Sequence, residues 1–115
     1  MKKDVWVKKA ALFKEVYEGG KSIAARDLVL YYLSVGGESQ TKVGFSIGKK
    51  VGGAVVRNKI KRRLKSIVTS ELKNISKGYA LVFIGRPAIA TRSFPEVRES
   101  LVGLVRGAGI YRNKK

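Results

Sequence analysis

The feature that most constrains this chain is a helical repeat of apolar residues between positions 53 and 74. Apolar side chains recur there at Val56, Ile60, Leu64, Ile67, Val68 and Leu72. At 100° per residue this spacing puts all of them on one side of an α-helix. A long helix over residues 53–74 is therefore predicted, and its apolar stripe requires another layer of structure to pack against.

Two further segments have the pattern of helices. Residues 8–17 carry apolar side chains at helical spacing, at Leu12, Phe13, Val16 and Tyr17. The Gly19-Gly20 pair is expected to end that helix, because glycine adopts the left-handed C-terminal conformation at little cost. Near the other end of the chain, Ser93 and Glu96 have the spacing of a capping box, which predicts a helix over residues 94–105.

Three short runs are predicted strands. Residues 28–35 are rich in β-branched and aromatic types, and residues 42–47 alternate apolar side chains. Residues 79–84 form a continuous apolar run between glycines, which is typical of a central strand. The turn-forming residues 36–39 predict a hairpin between the first two strands. A crossover through the long helix would join the second strand to the third, and whether these two are parallel neighbours stays open.

The order of these elements predicts an α+β sandwich in which helices cover one sheet. At 115 residues the chain is expected to form a single domain, residues 1–115. Residues 106–115 are basic and contain glycine, so a loose tail is expected there.

The charge balance indicates the class of partner. The chain has 25 Lys and Arg against 8 Asp and Glu, a net charge of +17. A compact body with this charge repels itself, so a polyanion is expected to bind it. Nucleic acid is the first expectation, because basic residues release condensed counterions from phosphates, and an anionic membrane surface is the second. Since no apolar run is long enough to span a bilayer and no secretory signal is evident, a cytoplasmic protein without a membrane partner is expected.

Cysteine and histidine are both absent. Their absence excludes a disulfide framework, a thiolate metal site and the usual general base. A self-sufficient nuclease would need clustered carboxylates for metal ions or a histidine acid–base pair, and the eight acids are scattered. No catalytic residue and no firm metal site is therefore expected on the protein.

The basic residues of positions 49–65 divide into two sets on the predicted helix. Between positions 39 and 70 there are nine basic residues and no acidic one, so the like charges repel without the interleaved glutamates of a solvated helix. One edge beside the apolar stripe, at about 60° to 200° from Ile60, carries Arg57, Asn58, Lys61, Arg62 and Lys65. Lys59 and Arg63 fall on the opposite flank and are expected to be solubilising charges. The first set is the predicted polyanion-binding edge.

Individual side chains of that edge suit phosphate and ribose. Arg57 overlaps the margin of the apolar arc, so its stem is expected to be half-buried and its guanidinium held for phosphate oxygens. Asn58 could contact a ribose hydroxyl, a base edge or a hydrated metal ion. Upstream, glycines surround Lys49 and Lys50 just before the helix begins, and backbone N–H groups at a helix N-terminus attract anions. The spacing does not match a nucleotide P-loop, which argues against NTP hydrolysis.

The stretch KKVGGAVVRNKIKR, from Lys49 to Arg62, resembles the signature of bacterial ribonuclease P protein subunits. That family pattern, Lys-Lys-x-Gly-x-Ala-x-x-Arg-Asn-x-x-Lys-Arg, is matched at every fixed position. Further agreement is found at Phe13, Val16, Tyr17, Gly20-Lys21-Ser22, Arg26, Val29-Leu30-Tyr31 and residues 43–47. The chain departs from the family where Trp6, Val7 and Leu12 replace a common basic, leucine and acidic residue, and where Ala25 and Gly53 replace common asparagines.

The resemblance implies a non-catalytic partner of a catalytic RNA that removes the 5′ leader from precursor tRNA. It implies one protein per ribonuclease P RNA, precursor tRNA as a second partner, and Mg²⁺ bound with the RNA complex rather than with the protein alone. The implied fold has about three helices and a mostly four-stranded sheet in the order α-β-β-β-α-β-α. It also includes a left-handed β-α-β crossover, which the general handedness rule disfavours.

Two sets of site residues follow from the resemblance. The RNA-binding set is Lys49, Lys50, Arg57, Asn58, Lys61, Arg62 and Lys65, with Asn58 a possible outer-sphere contact to a metal ion. A cleft between the first helix and the sheet would bind the single-stranded leader through Phe13, Tyr17, Lys21, Arg26 and Tyr31. Tyr31 and Tyr32 face opposite sides of a strand, and the family pattern favours Tyr31 for the cleft. The alternative is a ribosomal or other structural RNA-binding protein with no role in cleavage.

Overall fold

The computed structural model describes residues 5–6, 10–37 and 39–112 of the chain. Its elements are α1 (Ala10–Gly19), β1 (Lys21–Ala24), β2 (Leu28–Ser34), β3 (Lys42–Ile47), α2 (Ala54–Glu71), β4 (Tyr79–Gly85) and α3 (Phe94–Gly107), with 3₁₀ turns at Leu72–Asn74 and Pro87–Thr91. This confirms the predicted α+β class and the order α-β-β-β-α-β-α. The first two residues predicted for the first helix, Lys8 and Lys9, lie outside the described residues.

The sheet is mixed and has the strand order β1-β2-β4-β3. β2 pairs antiparallel with both β1 and β4, whereas β3 and β4 are parallel neighbours. The long helix α2 therefore lies in a β-α-β crossover between two adjacent strands. The left-handedness of this crossover stays a prediction.

The hairpin predicted between residues 28–35 and 42–47, which are β2 and β3 in the structure, is wrong, because β4 lies between these strands. β4 is the most apolar strand, and residues Ala80, Leu81, Val82 and Phe83 are all buried. A strand with apolar side chains on both faces gains most from the centre of a sheet, where both faces are covered. The hairpin that does form joins β2 to β1, a four-residue strand too short and too exposed to be recognised from its residue pattern.

The sheet separates two apolar layers. On one face, α3 lies over β1 and β2 while α2 lies over β3, and they enclose the main core, which includes Leu30, Phe83 and Leu101. On the other face, α1 packs on β2 and β4 through Val16, which meets Ala80 and Val82. Alternate residues of each strand therefore belong to different layers.

The end of α1 requires glycine for a reason other than the predicted one. Neither Gly19 nor Gly20 has a positive φ, so the expected left-handed cap is wrong. Gly20 instead lies so close to β2 that a Cβ atom there would be 2.5 Å from the backbone oxygen of Tyr32. The Gly20 N–H donates to the Val16 carbonyl at 2.9 Å and turns the chain directly into β1.

The other predicted helix signal is confirmed. The Ser93 hydroxyl accepts a hydrogen bond from the Glu96 N–H, and the Glu96 carboxylate accepts one from the Ser93 N–H, which completes the capping box. α3 therefore begins at Phe94, and it extends two residues past the predicted end.

Residues 106–112 pack against the body, so the loose tail predicted over residues 106–115 is wrong for this part. Ile110 is 1% exposed and belongs to the main core. The Ser76 N–H donates to the Ile110 carbonyl at 2.8 Å, and Tyr111 pairs with Ile75 in an antiparallel bridge. The basic composition of this segment hid the two apolar residues, Ile110 and Tyr111, that attach it to the rest of the protein. Residues 113–115 lie outside the described residues.

Glu71 fastens this C-terminal segment to the end of α2. Its buried carboxylate accepts hydrogen bonds from the Tyr111 hydroxyl at 2.8 Å and from the Asn74 amide at 3.2 Å, and it forms an ion pair with Arg98. Burial alone would raise the pKa of Glu71, but these hydrogen bonds and the nearby arginine charges outweigh it and lower that pKa below its ordinary value. The carboxylate is therefore the form that the fold stabilises.

Candidate nucleic-acid interface

The position of α2 determines which of its side chains are available to a ligand. Ile60, Leu64, Ile67 and Val68 are buried against β3 and α3. The first turn of the helix is not covered in this way, since Val55 is 82% exposed and Val56 is 38% exposed. Val56 was expected in the apolar stripe, but burial of the stripe begins only at Ile60.

The predicted basic edge of α2 is accessible. Asn58 and Arg62 are exposed, while Arg57, Lys61 and Lys65 are half-buried. The Arg57 Nε donates to the Gly52 carbonyl at 3.1 Å, so its guanidinium is held against the preceding loop as predicted. None of these side chains forms an ion pair with another described residue. Their positive charge therefore remains available to an anionic ligand.

Lys65 has an aromatic partner that residue patterns did not reveal. Its Nζ lies 5.6 Å from the centroid of the Trp6 ring, within the range of a cation–π contact. Trp6 in turn lies 5.7 Å from the ring of Phe45 and forms a bridge with Val43, beside the edge strand β3. Trp6 is a departure from the family pattern. Its contact with Lys65 depends on the pairing of Trp6 with Val43, which the local sequence does not predict.

Lys59 and Arg63, the two residues expected to be solubilising, differ in their surroundings. Lys59 is exposed. Arg63 instead donates from Nη1 to the Arg92 carbonyl at 3.3 Å, which ties α2 to the segment before α3. The expectation of a solubilising charge is therefore wrong for Arg63, because α2 and α3 pack side by side and bring that carbonyl within reach.

The loop before α2 presents two lysines from a fixed turn. The Val51 N–H donates to the Gly48 carbonyl at 3.1 Å, and the Gly52 N–H donates to the Lys49 carbonyl at 3.2 Å. Val51 is buried and anchors the turn, whereas Lys49 and Lys50 are exposed. Both lysines therefore belong to the turn directly before α2, whose N-terminus has no side-chain cap.

Three of the five residues predicted for the leader cleft come together on the other face of the sheet. The ring of Tyr17 lies 6.3 Å from that of Phe13 and 5.0 Å from that of Tyr31, in edge-to-face geometry in both pairs. We call Phe13, Tyr17 and Tyr31 the aromatic cluster. Tyr17 is 38% exposed, so the cluster opens to solvent. Tyr32 packs with the main core on the opposite face, which confirms the predicted alternation.

Lys21 and Arg26, which were also predicted for the cleft, lie apart from the aromatic cluster. In the β1–β2 register Lys21 is paired with Tyr32 and Ser22 with Tyr31. The Ser22 side chain therefore lies on the same face of the sheet as the aromatic cluster, and the Lys21 side chain lies on the opposite face. Arg26 lies in the turn between β1 and β2, at the end of the sheet away from α1's last turn. The strand β1 was not recognised in the sequence, and its register decides which side chain faces which layer.

Arg26 instead lies near a second arginine that residue patterns missed. The exposed Arg86, directly after β4, donates from Nη1 to the Ala25 carbonyl at 3.3 Å. Arg92 is engaged elsewhere, since its Nε donates to the buried carboxylate of Asp27 at 3.2 Å. The sequence did hold one signal for Arg86, because it directly follows the predicted central strand. Its place at that end of the sheet, beside the end of β3, could have been inferred from this.

Residues 5–6, 10–37 and 39–112 contain neither a cluster of metal-binding side chains nor a membrane-spanning helix. In that part of the chain no three Asp, Glu, His or Cys side chains form a group that could hold a metal ion. No helix within the same residues is long and apolar enough to cross a bilayer.

A mixed four-stranded sheet that carries a helix with an acid-free basic edge on one face and an open aromatic cluster on the other defines a small RNA-binding protein. A model of the ribonuclease P family matches residues 1–109. The ribonuclease P protein component of Bacillus cereus is 37% identical over 115 residues and covers all of both chains. That of Symbiobacterium thermophilum is 38% identical over 114 residues and covers 99% of each chain.

Solved structures agree with this comparison. The ribonuclease P protein of Staphylococcus aureus has a TM-score of 0.87 at 28% identity, over 95% of this chain and 99% of that one. The Thermotoga maritima protein has a TM-score of 0.75 at 29% identity, over 82% of this chain and 89% of that one. The chain belongs to the bacterial ribonuclease P protein family. It is a subunit of the ribonucleoprotein endonuclease that acts in tRNA 5′ processing, and ribonuclease P RNA is its partner. A ribosomal or purely structural role is thereby set aside.

Proposed function

We propose that the protein binds ribonuclease P RNA through the basic edge of α2 and the lysines of the preceding loop. The observation that carries the proposal is the fixed guanidinium of Arg57, held by the Gly52 carbonyl on an edge without acidic neighbours. Its Nε is occupied, so the Nη donors remain for phosphate oxygens. Lys49 and Lys50 add charge beside the uncapped helix N-terminus, which favours anions.

The proposal extends to the single-stranded leader of precursor tRNA, which would bind at the aromatic cluster. Unpaired bases stack on aromatic side chains, at about 1–3 kcal/mol per base. Tyr17 offers an accessible ring to such a base, and the edge-to-face contacts with Phe13 and Tyr31 keep that ring in place. Lys21 and Arg26 are not part of this proposed surface, for the geometric reasons given above.

In the proposed complex one protein binds one RNA, and the chemistry belongs to the RNA. Mg²⁺ is proposed to be held with RNA phosphates, where it would stabilise charge in phosphodiester hydrolysis. Asn58 is exposed beside Arg57 and suits a contact with the hydration shell of such an ion. The proposed compartment is the cytoplasm, because bacterial tRNA is transcribed there.

A reconstitution tests whether ribonuclease P RNA is the partner and whether cleavage requires that RNA. Leader removal from precursor tRNA is measured with bacterial ribonuclease P RNA at low Mg²⁺, with and without the protein. The protein should raise the rate, because its cations replace part of the Mg²⁺ that otherwise screens RNA phosphates. No gain over RNA alone would contradict the proposal, and so would cleavage by protein without RNA.

A pair of Tyr17 variants tests the leader surface. Tyr17→Leu should weaken binding of precursor tRNA to the reconstituted enzyme by about 1–3 kcal/mol, the value of one stacked base, and leave mature tRNA unaffected. Tyr17→Phe keeps the ring and should bind precursor tRNA nearly as the unmodified protein does. Equal losses for precursor and mature tRNA would show that the cluster only packs α1 on the sheet.

A further inference from the structure

A groove lies on the face of the sheet opposite the aromatic cluster, at the end where α1 and α3 both stop. The strand register pairs Lys21 with Tyr32 and Ser34 with Tyr79, and Tyr32 and Ser34 are alternate residues of β2. All four side chains therefore lie on the same face. The groove has a volume of about 400 Å³, and its remaining lining residues are Gly19, Gly20, Leu33 and Ala108.

The groove lies where α3, a helix on this face of the sheet, ends. α3 covers the sheet only as far as Gly107, and Gly109 then adopts a φ of +80° that turns the chain away. The chain continues to the buried Ile110, and Tyr32 and Tyr79 at this end of the sheet remain partly exposed. α1 ends at Gly19, and Gly19 and Gly20, which lead into β1, line the other rim.

The lining combines aromatic rings with an unneutralised cation. Tyr32 and Tyr79 are half-buried, and Lys21 is exposed. Among the described residues, neither tyrosine hydroxyl has a hydrogen-bond partner and the Lys21 ammonium has no ion pair. No lining residue is acidic. The groove therefore offers flat apolar surface, two hydroxyls and one positive charge within a space suited to a small ligand.

This combination restricts the class of ligand. A purely apolar partner would leave Lys21 and the hydroxyls without partners, and a simple anion would not use the rings. A planar heterocycle joined to a phosphate uses both, because bases stack on tyrosines of an open sheet surface while a lysine contacts the backbone. We propose that the groove binds one unpaired RNA nucleotide, with its base against Tyr32 and Tyr79 and a phosphate at Lys21.

This site would be a third RNA contact, on the face opposite the aromatic cluster and apart from the basic edge of α2. It also gives Lys21 a phosphate-binding role, although the β1–β2 register places Lys21 on the opposite face of the sheet from Tyr31. The inference rests on the RNA binding that the family membership establishes. It holds whether or not the leader occupies the aromatic cluster.

Photocrosslinking of the full-length protein tests the site. The probe is a single-stranded RNA of about eight nucleotides that carries 5-iodouridine, within the length range that such domains bind. Tryptic residues 78–92 contain Tyr79 as their one tyrosine, so a crosslink there is read separately from the Tyr31 and Tyr32 peptide. We expect a crosslink at Tyr79, lost in Tyr79→Leu and kept in Tyr79→Phe.

Lys21→Gln should lower the yield at Tyr79 by about tenfold or more, the loss of one hydrogen bond to a charged group. Lys73→Gln removes the same charge from an exposed position outside the groove and should leave the yield unchanged. Thermal unfolding of each variant checks that it folds.

Crosslinks on α1 or α2 without any on residues 78–92 would overturn the groove and leave the proposed function intact. Competition at Tyr79 by polyglutamate as effective as that by unlabelled RNA would also overturn it, because the groove would then recognise charge alone. Crosslinks at Tyr79 without any on α1 or α2 would support the groove and count against the proposed leader and RNA surfaces.

Discussion

At the scale of single residues, Arg57 shows how one hydrogen bond prepares a flexible side chain for RNA. An arginine free in solvent loses side-chain entropy when it binds a phosphate. The bond from its Nε to the Gly52 carbonyl restricts the side chain before RNA arrives. Less entropy is then lost on binding, so this arginine should contribute more than an unrestrained cation on the same helix.

Arg57→Ala should weaken binding to ribonuclease P RNA by about 1–3 kcal/mol, the range for a charge-assisted contact. It should also reduce the slope of log affinity against log salt by about one, because one phosphate contact is lost. Filter binding at several KCl concentrations measures both. Lys59→Ala removes an exposed charge of the same helix and should change the affinity less. An unchanged slope in the Arg57 variant would mean that Arg57 contacts no phosphate.

Gly20 and Gly103 form a matched pair that separates close packing from helix propensity. Gly20→Ala should destabilise the fold by about 1–3 kcal/mol, because the new Cβ would meet the backbone oxygens of Tyr32 and Val16 at 2.5 and 2.6 Å. Gly103→Ala, in α3, meets nothing within 4 Å and should stabilise by about 0.5–1 kcal/mol. Urea unfolding of both variants measures the difference. A neutral Gly20→Ala would show that α1 can move away from β2.

At the scale of elements, the Glu71 carboxylate joins α2, α3 and the C-terminal segment. The pKa of Glu71 is lowered in the folded protein, so the unfolded chain takes up the proton more readily. Its contribution to stability is therefore fully present above the unfolded pKa, about 4.3, and is lost as pH falls through the lower folded pKa. Protonation would weaken the ion pair with Arg98 and the hydrogen bond from Tyr111.

Glu71→Gln should lower the free energy of unfolding at pH 7 by about 1–3 kcal/mol, because bonds to a buried charge are lost. The difference from the unmodified protein should shrink as pH falls below about 4.3. Urea titrations between neutral and acidic pH measure this. Glu99→Gln is the control, since Glu99 is exposed on α3 and forms no ion pair with a described residue. A difference that stays constant with pH would contradict the assigned role of the carboxylate.

At the scale of the whole molecule, the net charge of +17 affects stability and binding in opposite directions. Mutual repulsion of the cations destabilises the compact state, and salt screens it over about 10 Å at 0.1 M. The same salt reduces the gain from counterion release when RNA binds. The charge that weakens the isolated fold is therefore the charge that drives assembly with RNA.

Raising KCl should increase the melting temperature of the free protein by a few degrees, on the order of 1 kcal/mol for a domain of this size. Over the same range the affinity for ribonuclease P RNA should fall by orders of magnitude. Differential scanning fluorimetry and filter binding measure the two trends. A melting temperature that falls with KCl would show that ion pairs outweigh repulsion in the folded state.

Sequence patterns predicted much of the fold because helices and caps depend on neighbours a few residues apart. The stripe from Ile60 to Val68 and the capping box of Ser93 and Glu96 placed α2 and α3 within three residues of their observed bounds. The basic edge of α2 was predicted for the same reason, since helical angles follow directly from spacing. The family pattern also brought Phe13, Tyr17 and Tyr31 into one predicted surface, and the structure brings their rings together.

Pairing between distant segments was decided only by the tertiary structure. β4 lies between β2 and β3 because its residues are apolar on both faces, and this insertion excluded the predicted hairpin. The register of β1 then placed Lys21 beside Tyr32 instead of Tyr31. Strand partners and registers depend on the total apolar area buried by the whole chain, which no local spacing reports. The sequence by itself therefore determined the helices, the charge and the family, whereas the arrangement of the sheet decided which side chains share a surface.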